Sequence, residues 1–320
     1  MKNRVIGAAV VLAATAVTAN AQANSCAAGL TQDACQKAVD VYQYLAPQLG
    51  TAITGGNATL GQGGALGGLG HFSLGVRANV VRGTLPQVDD PSATPVLTGA
   101  RSTAYPTKDG YIPMPTVDAA LGIFKGIPLA LTNVGGIDLL GSASYIPKIN
   151  RNDVSLDPDN PVKVGYGVRV SALQESIVSP GVSFTYLKRD LPVLSLTGTS
   201  SNSTLHVDKL TEKTSAWRIV ASKNFILFGI AAGYGQDSYQ SSANANATIS
   251  GQTSSTISVA QDMTRSNMFA DFSLNFPIFK IVGEVGQVSG GTAPTTVNTF
   301  PAKGIVDSRV YGSVGFRVSW

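Results

Sequence analysis

Apolar and polar residues alternate with a period of two from His71 to the end of the chain. Successive side chains of a β-strand point to opposite faces of its sheet. In the first alternating segment one set of positions is apolar and the other is polar or glycine: Phe72, Leu74, Val76, Ala78 and Val80 against His71, Ser73, Gly75, Arg77 and Asn79. The segment is therefore predicted to be a strand with one apolar and one polar face.

The same pattern recurs about ten times, as in a barrel. Ser222 to Asn224 and Pro277 join two strand pairs tightly, whereas the proline-rich residues 83–115 and the polar residues 240–262 are predicted to be long loops. Short and long connections alternate in transmembrane barrels, and an even strand number returns both chain ends to one side. The predicted strands lie near residues 71–81, 116–125, 136–147, 162–173, 181–189 (with an end at 197 left open), 211–222, 225–239, 264–276, 278–289 and 307–320.

Charged residues within the predicted strands fall on the polar face. On the opposite face, Lys125 and Lys188 lie at strand ends. A Lys or Arg that faces lipid at mid-bilayer costs roughly 2–4 kcal/mol, whereas a lumen tolerates charges that pair or meet water. The polar face is therefore predicted to line a lumen with Arg77, Asp118, Asp138, Lys163, Arg169, Arg218, Asp271, Lys280, Glu284, Arg309 and Arg317.

Aromatic residues of the apolar face sort by strand end. If the first strand runs outward from the periplasm, one group falls at the periplasmic end and another at the outer end. Aromatic side chains favour the two membrane interfaces. In a soluble β-sandwich, the alternative fold, core aromatics would have no reason to sort in this way. The predicted periplasmic belt is Phe72, Phe276, Phe279 and Trp320, and the outer belt is Tyr145, Tyr166, Tyr186 and Tyr234.

These patterns predict an all-β fold. The architecture is a closed antiparallel transmembrane β-barrel of about ten strands, in a range of roughly 8–14, with a short helical segment before it. Unpaired backbone groups are costly in hydrocarbon, so a sheet in a membrane must close on itself.

The last strand resembles the terminal strand signal of Gram-negative outer-membrane proteins. Phe316, Val318 and Trp320 share its apolar face. In that class the last residue is usually Phe, so Trp320 departs from the pattern. The resemblance implies recognition by the barrel-assembly machinery, with outer-membrane lipid and lipopolysaccharide as the other partners. The oligomeric state stays open.

The amino terminus has the three parts of a secretory signal peptide. Lys2 and Arg4 are the charged region, residues 5–17 are a short apolar core, and Ala19-Asn20-Ala21 is a small-x-small cleavage site. Cleavage after Ala21 and location in the bacterial outer membrane are therefore expected. Charged residues make up 13% of the chain, against about 25% of an ordinary soluble domain.

A different segment, residues 22–70, separates the signal peptide (1–21) from the predicted barrel (71–320). Apolar residues recur at helical spacing over 32–49, with Asp33 placed to cap the helix and Gly50 to stop it. Residues 50–70 are too rich in glycine for a stable helix or an ordinary core. The segment is expected either to plug the barrel or to lie beneath it.

Cys26 and Cys35 are the only cysteines. In an oxidising periplasm they are predicted to form a disulfide. Two cysteines without nearby histidine ligands do not make a metal site, so neither a metal nor another cofactor is expected. Loss of Lys2 and Arg4 lowers the net charge by two from +4, and no basic run with interleaved aromatics favours nucleic-acid binding.

Strand number and luminal charge suggest the function. Eight-stranded barrels are filled by side chains and barrels of 16–18 strands leave an aqueous channel, so about ten strands lie nearer the filled case. The leading hypothesis is narrow or gated passive transport of small or hydrophobic solutes, with the excess of basic luminal residues favouring anions. The alternatives are a lumen filled by ion pairs in a non-conducting structural barrel and an adhesive barrel that binds through its loops.

The layout also resembles the long-chain fatty acid transporter family. That family has an N-terminal segment that plugs its barrel and moves hydrophobic molecules inward. The matching features here are the helix and glycine-rich stretch at 32–70, followed by strands. The family's usual barrel has fourteen strands and its binding residues do not align, so no site is carried over. Small outer-membrane barrels without an assigned activity are the closer resemblance.

A hydrolase is the alternative from another functional class. His71 and Ser73 have the His-x-Ser spacing of outer-membrane phospholipases, but their parity points them inward near the periplasmic end. His206 and Asp208 offer the residue types that outer-membrane proteases use near the outer rim. Neither pair makes a complete catalytic set, because nucleophilic catalysis needs a nucleophile, a base and an orienting group in contact. No enzyme and no catalytic residue is therefore predicted.

Overall fold

The computed structural model describes residues 26–89, 93–95, 105–129, 131–151, 153–292 and 304–320. The predicted signal peptide and its cleavage site lie outside these residues. No helix in the described ranges is long and apolar enough to cross a membrane. The elements are α1 (Gln32–Thr54), β1 (Phe72–Pro86), β2 (Thr107–Phe124), β3 (Ile127–Leu129), β4 (Thr132–Val134), β5 (Gly136–Tyr145), β6 (Ile149–Arg151), β7 (Val154–Pro158), β8 (Val162–Leu173), β9 (Gly181–Arg189), β10 (Leu194–Thr199), β11 (Ser203–Asn224), β12 (Phe228–Ile249), β13 (Gln252–Thr253), β14 (Ile257–Asn275), β15 (Phe279–Ser289) and β16 (Arg309–Ser319).

Ten strands close into an antiparallel barrel in the order β1, β2, β5, β8, β9, β11, β12, β14, β15, β16 and back to β1. The first and last barrel strands pair directly, with Leu74 opposite Val318 and Ala78 opposite Val314. Each barrel strand overlaps one strand predicted from the sequence. The predicted fold class and strand number are confirmed.

The barrel has two unlike ends. The start of β1 and the terminal Trp320 lie at one end, which we call the turn end. There Phe72 and Trp320 exchange backbone hydrogen bonds of 3.0 and 2.9 Å. The opposite end, the loop end, carries the connections between β1 and β2, β5 and β8, β9 and β11, β12 and β14, and β15 and β16. The turn end carries the connections through residues 125–135, 174–180, 225–227 and 276–278.

Side chains along each barrel strand alternate between an exposed outer face and a buried inner face. In β8, Val164 and Tyr166 are exposed while Gly165 and Arg169 are buried. The outer face is apolar over the middle of the barrel, and the inner face contains arginines and carboxylates. This sidedness is the reverse of a soluble protein, and it fits a wall with lipid outside.

The prediction of a long polar loop at residues 240–262 is wrong. β12 continues to Ile249 and β14 begins at Ile257, so residues 250–256 make the connection. Alternate alanines such as Ala245 and Ala247 are fully buried here, while the residues between them are polar and partly exposed. The sheet rises beyond the apolar band at this point, so the outer face no longer needs apolar residues.

The loop predicted at 83–115 is also shorter in the structure. β1 continues to Pro86 and β2 begins at Thr107, so both strands extend into that range. The two strands stay paired to their ends, with Pro86 opposite Thr107. Pro86 closes β1, and Pro113 and Pro115 lie in the part of β2 before its pairing with β5 begins at Thr116, where a proline need not donate to a second neighbouring strand.

A bulge in β11 reverses the side-chain parity between its two halves. The register with β12 shifts between Asp208 and Thr211, and Lys209 has a φ of +52°. Leu205 and Val207 point inward before the bulge, whereas Leu210 and Glu212 point inward after it. One extra residue on one strand produces this change of face.

Helix α1 extends beyond its predicted end. It continues through Gly50 to Thr54, and Asp33 does not cap it: the N-cap residue is Thr31, which makes no side-chain capping bond. Gly50 serves close packing instead, because a Cβ there would lie 2.8 Å from the ring of Tyr239. The carboxylate of Asp33 accepts hydrogen bonds from the backbone N–H and the hydroxyl of Thr94.

Residues 26–70, which we call the luminal segment, run through the barrel from the loop end to the turn end. Asp33 contacts the β1–β2 connection at the loop end. Thr54 reaches Asp237 inside the wall, at 3.1 Å. Further along, Gly63 donates to Ser222, and a Cβ at Gly68 would lie 2.8 Å from the backbone of Lys125 at the turn end. The glycine-rich residues are buried here despite their lack of side chains.

Candidate functional site: the lumen and the segment inside it

All of the charged residues predicted to line the lumen lie on the inner face of the wall. Nine of them are buried, namely Arg77, Asp118, Asp138, Arg169, Arg218, Asp271, Glu284, Arg309 and Arg317. Lys163 and Lys280 are half-buried. They occupy different heights in the barrel, so they form several local networks instead of a single cluster.

The first network joins four strands, β1, β2, β5 and β9. Asp118 on β2 forms an ion pair with Arg77 on β1 at 2.9 Å and accepts a hydrogen bond from Arg189 on β9, also at 2.9 Å. Arg189 also donates to the hydroxyl of Ser142 at 3.1 Å. Arg189 was missed because it is the final residue of its strand, where a charge gives no clear parity signal.

Two further buried ion pairs link the wall to the luminal segment. Arg169 and Asp138 are 2.7 Å apart, and Asp138 also accepts from the backbone N–H of Leu66 at 3.2 Å. Arg218 and Asp237 are 2.5 Å apart, and both side chains are fully buried. A buried pair of this kind stabilises only when its remaining hydrogen-bonding groups are satisfied.

Wall carboxylates bind backbone N–H groups of the glycine-rich stretch. Glu284 accepts from the N–H of Asn57 at 2.7 Å. Asp271 accepts from the N–H of Gly61 at 2.8 Å and from the Asn57 amide at 2.9 Å. These carboxylates are on neighbouring strands and face each other in the register. Together they hold one turn of otherwise irregular chain.

Wall cations and amides bind the carbonyl groups of the same stretch. Arg77 donates to the carbonyl of Asn57 at 2.9 Å, and Arg317 donates to that of Leu60 at 2.5 Å. Asn79 donates to the carbonyl of Ala52 at 2.6 Å. Buried backbone groups outside regular structure need partners, and here the wall supplies them.

The loop-end half of the lumen is filled differently, by α1. Its side chains form an apolar cluster with the extended strands, including Val41, Leu205 and Ala245. Tyr42 donates to Ser241 at 3.0 Å, and burial raises the pKa of its hydroxyl. Cys26 and Cys35 form a disulfide with Cα atoms 5.9 Å apart, which ties the start of the segment to the first turn of the helix.

The residues considered for hydrolysis are not assembled into a catalytic set. The hydroxyl of Ser73 accepts from Ser319 at 3.1 Å, and no hydrogen bond recorded for the described residues joins it to His71. His206 contacts Thr197 at 3.2 Å through Nδ1. The described residues contain no group of three or more His, Cys, Asp or Glu side chains that could hold a metal ion.

The predicted belt residues all lie on the outer face. Phe72 stacks on Trp320 with ring centroids 4.7 Å apart, and Phe276 stacks on Phe279 at 4.6 Å, both at the turn end. Nearer the loop end, Trp217 packs edge-on against Tyr234 at 6.2 Å. Trp217 was not among the predicted belt residues, although its parity in β11 is that of the apolar face. The remaining predicted belt residues, Tyr145, Tyr166 and Tyr186, are exposed.

The sequence matches no known family profile and no curated protein. Solved structures with some similarity include Ail, the attachment invasion locus protein of Yersinia pestis, at 10% identity over 79% of this chain and 99% of Ail, with a TM-score of 0.27. A mutant of the monoaromatic hydrocarbon channel TodX is 7% identical over 78% of this chain and 89% of its own, with a TM-score of 0.30. OmpT, an outer-membrane protein of Vibrio cholerae, is 10% identical over 84% and 99%, with a TM-score of 0.22.

At these identities and TM-scores, the similarities give no argument about function. The closed sheet and its apolar exterior identify the fold as an outer-membrane β-barrel.

Proposed function

We propose that this chain is an outer-membrane barrel closed at rest by its own luminal segment, which admits small solutes when the glycine-rich stretch moves aside. The observation that supports this is the polar attachment of residues 55–66. Their backbone groups bind wall charges such as Glu284, Asp271 and Arg77. Water can replace such contacts, so the stretch can detach without exposing a large apolar surface.

The two halves of the luminal segment differ in how strongly they are held. A hydrogen bond within a protein contributes only about 0.5–1.5 kcal/mol net, because water offers the same group a partner. Apolar burial has no such replacement. The disulfide and the apolar cluster therefore anchor α1, and the polar contacts let residues 55–66 move. Gly55 and Gly56 lie between the halves and allow the chain to bend.

We further propose how the chain reaches the outer membrane and which way it faces there. Export by a signal peptide cleaved after Ala21 brings the chain to the periplasm, and the terminal strand with Trp320 directs it to the barrel-assembly machinery. Lipid and lipopolysaccharide then cover the apolar outer face. The turn end faces the periplasm and the loop end faces outward, because periplasmic turns are short in this architecture.

Planar-bilayer recording of the refolded protein tests the proposal. The wild type is expected to be closed for most of the time. Replacing Asp271 and Glu284 together by alanine removes the carboxylates to which Asn57 and Gly61 donate hydrogen bonds. The fraction of time for which the barrel conducts should therefore rise several-fold. Ser222→Ala is a milder variant that removes the acceptor for Gly63 and one hydrogen-bond donor to Glu175. Anomalous migration on unheated gels checks that each variant folds.

Asp157→Ala is the matched control for charge removal. It breaks an exposed ion pair, 2.6 Å long, between β7 and Lys148 in the connection before β6, outside the barrel wall. The control should behave like the wild type. Equal currents from all variants, or silence from all folded variants, would reject gating and leave the second candidate, a non-conducting surface barrel.

One feature favours that second candidate. β11 and β12 continue past the exposed aromatic residues to Ser203 and Ile249, and they stay paired to that point. The resulting extension presents polar residues outside the apolar band, as a binding surface would. We assign no catalytic role, since Ser73 and His71 are not hydrogen-bonded; hydrolysis of lipid by the refolded wild type that His71→Ala abolishes would contradict this.

A further inference from the structure

Two connections at the turn end expose large apolar side chains. Residues 225–227 join β11 to β12, and residues 276–278 join β14 to β15. Ile226 is 93% exposed in the first connection, and Ile278 is 71% exposed in the second. Turns that face water are mostly built from Gly, Pro, Asn, Asp and Ser, and Pro277 alone among these six residues is of that kind. A turn in water does not account for this composition.

The two connections form one continuous surface. β12 and β14 are neighbouring strands, and the backbone N–H of Asn275 donates to the carbonyl of Leu227 at 2.8 Å. The side-chain amide of Asn275 donates to the carbonyl of Phe225 at 3.0 Å. Single exposed apolar residues are common on proteins, whereas a contiguous apolar patch marks an interaction surface.

Stacked phenylalanine rings join this surface to the lipid-facing wall. Phe225 stacks on Phe228 with ring centroids 4.7 Å apart, and Phe276 stacks on Phe279 at 4.6 Å. Phe279 also stacks on Phe316 of β16, at 4.9 Å. Phenylalanine has no polar group that needs water, unlike tyrosine and tryptophan. The surface is therefore continuous with the outer face of the barrel, and lipid is the occupant that this continuity favours.

The charged residues that flank the two connections are bound within the protein. Lys223 precedes the first connection, and its ammonium group donates to the carbonyls of Ser176 and Ile177 at 2.5 and 2.8 Å. Lys280 follows the second connection and donates to Asn224 at 2.6 Å. The connections themselves contain no charged residue. Lipid around them would therefore meet no charge that lacks a partner.

The strands on this side of the barrel are too short to form the whole apolar band. The apolar part of the outer face of β11 begins at Trp217, seven residues before the strand ends at Asn224. At about 3.3 Å per residue and a tilt of about 40°, this length covers about 18 Å of the membrane normal, against an apolar band of about 25 Å. On β12 the apolar stretch from Phe228 to Tyr234 covers about 15 Å by the same measure. The connections lie where the missing length is needed.

We propose that residues 225–227 and 276–278 lie within the phospholipid leaflet at the turn end, where Ile226, Leu227 and Ile278 contact acyl chains. The connections then complete the apolar band on this side of the barrel. Each is closed by a backbone hydrogen bond, from Phe225 to Phe228 at 2.7 Å and from residue 276 to residue 279 at 2.9 Å, as a turn in lipid requires. The inference goes beyond the proposed function and depends neither on gating nor on which side of the membrane the turn end faces.

Tryptophan fluorescence of the refolded full-length protein tests this proposal in vesicles of phosphatidylcholine that is brominated near the carbonyl end of one acyl chain. Bromine quenches tryptophan fluorescence on contact. Trp217 and Trp320 are the only tryptophans, so replacing both by Phe gives a background without tryptophan. In this background Ile226→Trp and Ile278→Trp should each lose as large a share of their fluorescence as Ile230→Trp, whose side chain lies on the lipid-facing wall.

Thr256→Trp is the matched control, since Thr256 is exposed in the loop-end connection 250–256. Aqueous iodide should quench this control, and brominated lipid should not. Quenching of the turn-end reporters by iodide instead of bromine would place both connections in water and overturn the proposal. Protection from both quenchers would indicate a second copy of the chain on this surface and would overturn it equally. Migration on unheated gels checks that each variant folds, and the two turn-end positions test the proposal separately.

Discussion

Individual glycines set how closely the luminal segment approaches the wall. Gly56 has a φ of +71°, and a Cβ there would lie 1.6 Å from a carboxylate oxygen of Glu284. At Gly55 a Cβ would lie 2.2 Å from the amide nitrogen of Asn79. Any side chain at these positions would push the backbone away from the wall, so the hydrogen bond from Asn57 to Glu284 depends on the glycines.

We expect Gly56→Ala to destabilise the barrel and to loosen the luminal segment. Left-handed backbone costs a non-glycine residue roughly 1–2 kcal/mol, and the clash with Glu284 adds to this. Gly251→Ala is the control, since Gly251 has a φ of +78° with nothing near its Cβ position. The free energy of unfolding, measured in urea with lipid vesicles, should fall at least ~1 kcal/mol further for Gly56→Ala than for the control. Equal losses would mean that close approach does not matter.

The alternation of residues along a strand predicts the face on which a side chain lies, but it does not predict which residues that side chain contacts. All predicted luminal charges lie inward, yet Arg189 and Asp237, which complete two buried networks, were not singled out. Arg189 closes its strand, and Asp237 lies near the end of the predicted strand and next to the predicted loop. Their partners include Asp118 for Arg189 and Thr54 for Asp237, which lie far away in the sequence, so no local pattern reveals these contacts.

At the scale of elements, the loop-end halves of β11 and β12 show how a sheet changes character with its surroundings. Towards the turn end, the outer faces of both strands are apolar and their inner faces carry charges. Towards the loop end, the outer face is polar, and small inward alanines pack against α1. A strand is recognised in a sequence by large apolar residues at alternate positions. Here alanine alternates with Ser and Asn, so a loop was predicted.

Substitutions on the two faces of β12 should therefore have opposite outcomes. Ala245 is fully buried, whereas the neighbouring Asn246 is half-exposed on the outer face. Ala245→Lys should cost about 3 kcal/mol or more, since it overfills the space beside α1 and buries an unpaired charge. Asn246→Lys should be nearly neutral. The urea midpoint of the refolded variants measures this, and comparable midpoints would restore the loop interpretation.

For the whole molecule, the main consequence is the route of the chain. The luminal segment starts at the loop end, passes down the lumen and joins β1 at the turn end. With the turn end in the periplasm, the disulfide between Cys26 and Cys35 lies on the outer side of the membrane. The proposed orientation therefore predicts that part of the N-terminal segment is presented at the cell surface.

Epitope insertion tests this route. A short peptide epitope inserted after Ala27, which is exposed within the disulfide loop, should bind antibody on intact cells. The same epitope after Ile177, which is 97% exposed in a turn-end connection, should bind only after permeabilisation. Detection of both only in permeabilised cells would place the disulfide loop away from the cell surface, and detection of the Ile177 epitope alone on intact cells would reverse the orientation.

The sequence by itself determined the number of barrel strands and the two faces of the parts of them that it predicted. Alternation is a local property, and the cost of a charge in lipid acts on each residue separately, so both are visible without a structure. The sequence also left open whether residues 22–70 plug the barrel or lie beneath it. Glycine-rich chain has no apolar pattern of its own to indicate what covers it.

Only the tertiary structure decided what fills the lumen and which charges meet. The partners of residues 55–66 are Glu284, Asp271, Arg77 and Arg317, which lie on strands from both ends of the sequence. Closure of the sheet brings those strands together around the segment. Hydrogen bonds between such distant residues depend on the three-dimensional arrangement of the chain, and no periodicity along the sequence records them.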